Sequence, residues 1–185
     1  MRLITVLVSG LCALGAAQAR EKATKPAEAK AAPPRPDFTK LAFLVAEGAP
    51  WKCEATVTPP PNLGKQHHAT AKVTVSSVVG GAWRRLHVVE AKTAENPMPF
   101  DIEESYSGMG NQFIRYALDN FGGSMWGAGA VENDKVSFVG DAFMGPQKIP
   151  SRITFEKRAS DLKVDLEFQG PDGKWMDAWD GVCKR

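Results

Sequence analysis

The chain has 185 residues, enough for one ordinary domain with appendages. Apolar residues make up 43% and charged residues 24%, a globular balance that excludes wholesale disorder. The formal charge of +2 is uneven. Positions 38–185 hold 17 Lys and Arg against 18 Asp and Glu, so this part lacks the basic face of a protein that grips nucleic acid by its phosphates.

At the N-terminus, Met1-Arg2 is a minimal positive n-region and Leu3 to Leu14 an apolar stretch of signal-peptide length. Ala17-Gln18-Ala19 supplies the small-x-small pattern of a cleavage site, so residues 1–19 read as a signal peptide cut before Arg20. About a dozen apolar residues are too few to cross a hydrocarbon core that needs roughly 20. Acylation at Cys12 would call for Gly or Ala before it, and Leu11 stands there. The mature chain is therefore expected to be exported, periplasmic or extracellular, with no membrane span. Residues 20–37 (REKATKPAEAKAAPPRPD) contain no aromatic and no branched aliphatic side chain, so they cannot bury enough area to offset their ordering entropy and read as a disordered linker. The first aromatic residue is Phe38, which opens a domain spanning 38–185.

Asp37 can cap a short helix carrying Phe38, Leu41, Leu44 and Val45 at helical spacing, stopped around Gly48 and Pro50. From Trp51 the period becomes two: Trp51, Cys53, Ala55 and Val57 face one way, Lys52, Glu54 and Thr56 the other. Pro59-Pro60-Pro61-Asn62 ends that strand. His68 to Val79 follows and turns at Gly80-Gly81 into Trp83 to Ala91. Further strands are expected at Phe100–Ser107, Asn111–Asp119, Ser124–Val131, Lys135–Phe143, Ile149–Lys157, Leu162–Gln169 and Trp175–Cys183, separated by Gly-, Asn-, Asp- and Pro-rich turns.

Ten short strands with no room for crossover helices make an antiparallel sheet, and closure removes its edges. The expectation is an all-β, up-and-down barrel of about ten strands with the short N-terminal helix plugging or covering one end. Without Cys12 the exported chain keeps two cysteines, Cys53 and Cys183, an even count that favours a disulfide in an oxidising compartment; two buried free thiols are the alternative. One lies in the first strand and one in the last. A barrel makes those strands neighbours, so the bridge would lock the seam, although a sandwich could also bring the two together.

Several short motifs span the domain. Phe43-Leu44-Val45 with Gly48 and Trp51 opens it, Val79-Gly80-Gly81-Ala82-Trp83 forms the second hairpin, and Tyr106-Ser107-Gly108-Met109 and Arg115-Tyr116 precede Asp119-Asn120-Phe121-Gly122-Gly123. Cys183-Lys184-Arg185 ends the chain. In these the chain resembles the secreted domain-of-unknown-function family 1579, which implies a calycin-type (lipocalin-like) barrel over essentially all of 38–185. The opening departs from that family's pattern: Ala46 stands where Gly is usual, and Glu47 to Pro50 stretch the segment before Trp51.

Enzyme motifs are absent from the sequence. Gly122-Gly123-Ser124-Met125-Trp126 has the serine of a nucleophile elbow but Trp126 in the place of its second glycine, and no Gly-rich phosphate loop opens a helix. Asp177 and Asp180, three apart on a strand, diverge. His67 and His68 are adjacent and would point apart on a strand, and nothing around His87 supports haem ligation; no metal or cofactor is expected.

The polar residues on apolar faces are more suggestive. Glu104 shares a face with Phe100, Ile102 and Tyr106; Gln112 with Ile114, Tyr116 and Leu118; Asp177 with Trp175 and Trp179. An apolar chamber with a few convergent polar groups is the general form of a small-molecule site. Glu104, Tyr106, Tyr116, Trp126 and Trp179 are the candidate ligand-binding residues, and the expected ligand is a small hydrophobic or amphipathic molecule. A packed interior, with Glu104 paired to Arg84, Arg85 or Arg115, is the competing account. Alternatives in function are a small hydrolase or isomerase with Glu104 or Asp177 as general base, and a purely structural, partner-binding barrel.

Overall fold

The computed structural model describes residues 36–59 and 65–185. The signal peptide, nearly all of the linker and most of the Pro59–Asn62 turn lie outside the described residues. Period-two alternation in the sequence becomes ten strands: β1 Trp51–Val57, β2 His67–Val78, β3 Trp83–Glu90, β4 Asp101–Met109, β5 Gln112–Asp119, β6 Ser124–Glu132, β7 Lys135–Met144, β8 Gln147–Lys157, β9 Leu162–Gln169 and β10 Trp175–Lys184. Each pairs antiparallel with its neighbour in sequence, and β10 pairs with β1, so the sheet closes into an up-and-down barrel with no free edge. Cys53 and Cys183 are register partners across the β1–β10 seam and form a disulfide there.

Turn chemistry sets the connections. Asn133 and Asp134, both in the left-handed region (φ 52° and 59°), make the two-residue hairpin between β6 and β7. Asp119 Oδ1 accepts from the backbone N–H of Phe121 (2.8 Å) and Gly123 (2.9 Å), which folds the turn between β5 and β6. Gly108 lies inside β4, one residue before its end, and the turn to β5 is the pair 110–111. A Cβ on Gly140 would run into the backbone of Trp126 and Gly127, so glycine there lets β6 and β7 approach closely inside the barrel.

The helix is shorter than the spacing predicted. Helix α1 covers Ala42–Val45, preceded by a turn over Phe38–Leu41. Asp37 Oδ1 accepts from the backbone N–H of Thr39 (2.9 Å), so it closes that turn, and α1 itself has no side-chain cap. One turn of helix suffices because Leu41, Leu44 and Val45, all 0–1% exposed, drop into one end of the barrel. There they join a core of Leu86, Tyr106, Phe113, Val136, Phe138, Phe155, Leu162 and Val164. No helix among the described residues is long and apolar enough to cross a membrane.

Candidate functional site

The inward face of each strand follows from register and burial. On β4, Ile102, Glu104 and Tyr106 point inward; on β5, Phe113, Arg115 and Ala117 do. The polar residues meet at mid-height. Arg115 donates from Nη2 to Glu104 Oε1, and the Tyr106 hydroxyl donates to Glu104 Oε2. Tyr106 is fully buried, and Arg115 and Glu104 are 3% and 6% exposed at the side chain. The Tyr106 ring sits in an aromatic cluster, its centroid 5.5 Å from Phe138 and 6.4 Å from Phe155.

Burial in this cluster raises the Tyr106 pKa well above the usual tyrosine value, and the Glu104 charge adds to the effect. For Arg115, burial opposes the charge, but the Glu104 carboxylate and the Tyr106 hydroxyl outweigh it and hold the pKa above the usual arginine value. The group is thus a fixed ion pair with a phenol donor. Each Glu104 oxygen accepts one of these hydrogen bonds, so the carboxylate is held charged and buried against Arg115 and Tyr106.

Of the five candidate ligand-binding residues, the structure brings three inside and two outside. Glu104, Tyr106 and Trp179 face the interior; Trp179 lies across Gly181 and Ala55, where a Cβ on Gly181 would strike its ring. Tyr116 and Trp126 are register partners on the outer face, 50% and 40% exposed. The expected interior face of β5 (Gln112, Ile114, Tyr116, Leu118) is therefore its outer face. Both faces of β5 are rich in apolar residues, and the Glu104 carboxylate, which needs a buried cation, draws Arg115 inward and sets the phase. The one cation on β5 was the signal in the sequence for this choice.

Trp175, Asp177 and Trp179 do not share a face either. The β9–β10 register shifts between Asp177 and Trp179, and this bulge turns Trp179 inward while Asp177 stays opposite outward-facing Glu167. Asp177 lines an outer groove of about 380 Å³ with Lys135, Arg152, Thr154 and Glu167. In it Arg152 donates from Nη2 to Glu167 (2.7 Å) and packs over the Trp175 ring (4.6 Å). His87 also faces outward, its Nε2 2.7 Å from Asp101.

The interior has two zones. Toward α1 nearly every inward side chain is buried. In the half away from α1, Ile102, Met125, Ile149 and Phe168 face inward yet stay partly exposed and outside the core cluster, around the small buried side chains of Ala117 and Ala142. The loop between β3 and β4 lies at this end of the barrel. Buried Glu90 anchors it, accepting from Asn96 Nδ2 (3.0 Å) and from the Phe100 N–H (3.0 Å).

No family model matches this chain, and no curated protein does. Among solved structures it is similar to the crystal structure of Rv2717c from M. tuberculosis, with 12% identity and a TM-score of 0.61 over 80% of this chain and 96% of that one. The likeness is one of fold.

Proposed function

We propose that the protein is an exported, non-catalytic binding barrel, related to the secreted domain-of-unknown-function family 1579 it resembles, that holds a small, partly apolar ligand in the mouth opposite α1. The observation that carries this reading is the set Ile102, Met125, Ile149 and Phe168: apolar, inward-facing and incompletely covered by the protein itself. Such surface gains free energy when a ligand removes it from water, by about 25 cal/mol per Å². Glu104, Arg115 and Tyr106 form a polar layer beneath the mouth, and Trp179 supplies an aromatic wall. The disulfide fits an oxidising compartment. A catalytic role for Glu104 is disfavoured because Arg115 and Tyr106 occupy both of its oxygens.

Native mass spectrometry of protein purified from its own host, together with titration of an apolar fluorophore, tests the proposal. A retained small molecule, or micromolar dye binding that Met125→Lys weakens about tenfold or more, is the expected result. A clean apo mass with no dye binding overturns it. So does binding that survives Met125→Lys but is lost in Leu118→Ser, since that would put the dye on the outer surface.

A further inference from the structure

The outer face of β5, β6 and β7 carries an apolar patch that the interior reading leaves unused. Ile114, Tyr116 and Leu118 on β5, Trp126 on β6, and Val139 and Phe143 on β7 are 36–62% exposed. They are neighbours by register: Tyr116 opposes Trp126, while Ala128 sits between Ile114 and Val139. Trp83 extends the patch, its ring 6.2 Å from Tyr116. On an antiparallel sheet with one solvated face, alternation should put polar side chains here; within this patch only Ser124, between Leu118 and Phe143, and Asp141, opposite Trp126, do so.

We propose that this patch is the contact surface of a symmetric dimer of the chain. Three observations favour a second copy over another occupant. First, the six large side chains present roughly 600 Å² per copy, the upper end of what a typical monomer leaves exposed, so that two copies covering them fully bury about 1,200 Å², the lower end of specific interfaces. Second, the relief complements itself. The Tyr116–Trp126 ridge lies beside the low ground of Ala128, so a two-fold axis near β6 seats each Trp126 over the other copy's Ala128. Third, the nearby charges are already matched within one copy, Asp141 opposite Trp126 with Lys148 (3.1 Å) and Arg85 with Glu103 (3.5 Å) at the margin, so neither copy brings these charges unpaired to the contact. Because the barrel has no free edge, the copies associate face to face rather than by strand addition.

Analytical ultracentrifugation of the purified chain over a range reaching roughly 200 µM tests this. The expected result is a concentration-dependent doubling of mass that Trp126→Lys abolishes, with Leu118→Lys weakening it at least tenfold, and both variants keeping the wild-type circular dichroism spectrum. A wild-type chain that stays monomeric throughout overturns the proposal, as does a dimer indifferent to both substitutions. Binding of a monomeric wild-type chain to phosphatidylglycerol vesicles, lost in Trp126→Lys, would assign the patch to a lipid surface and overturn it equally.

Discussion

Replacing Arg115 with Met separates the buried polar group into its parts. With Glu104 and Arg115 only 6% and 3% exposed, water cannot take over the solvation of whichever partner is left. Removing the guanidinium strands a carboxylate in the barrel, at a cost of about 3–5 kcal/mol. In a domain of this size, with about 2–4 °C per kcal/mol, the thermal midpoint should fall by roughly 10 °C. The triple change Glu104→Leu, Arg115→Met and Tyr106→Phe removes the charges and the phenol together while keeping side-chain volume. It should recover to within about 1–2 kcal/mol of wild type, since a well-packed apolar set of similar size replaces a buried ion pair at little cost. Urea denaturation of the single and triple variants, compared at equal slope, gives these differences. An Arg115→Met cost below about 1 kcal/mol would show that the pair is solvated or substitutable, and a triple variant as unstable as the single would show that the polar group organises the interior; either result refutes the reasoning.

Two further predictions concern the seam and the phenol. Joining residues 130 apart in sequence, the Cys53–Cys183 bridge should contribute up to about 5 kcal/mol on the chain-entropy account, so the Cys53→Ala/Cys183→Ala variant should unfold at much lower urea, and a non-reducing digest of wild type should show the two peptides linked. Tyr106 has its folded pKa raised above the unfolded value, so above about pH 10 the unfolded state loses a proton that the native state keeps, and stability falls by about 1.4 kcal/mol per pH unit. That extra alkaline loss should vanish in Tyr106→Phe when both proteins are melted from pH 8 upward, and equal slopes would contradict the burial argument.

Sequence and structure divide along physical lines. The ten strands were legible to within a residue or two, because period-two patterning and Gly, Asn, Asp and Pro turns are local signals that later packing did not override. The seam disulfide was legible as well, since an even meander leaves the first and last strands adjacent. The inward phase of β5 was not. Ile114, Tyr116 and Leu118 are at least as apolar as Phe113 and Ala117, so hydrophobicity alone chooses the wrong face; the need of buried Glu104 for a cation, a relation across two strands, chooses Arg115. The separation of Trp179 from Trp175 and Asp177 came from a bulge, one extra residue against β9, which leaves no mark in the alternation of β10 itself. Sequence by itself therefore determined which segments are strands and how the chain closes. Tertiary structure decided which face of β5 and of the second half of β10 met the core, because that choice belongs to partners distant in the chain.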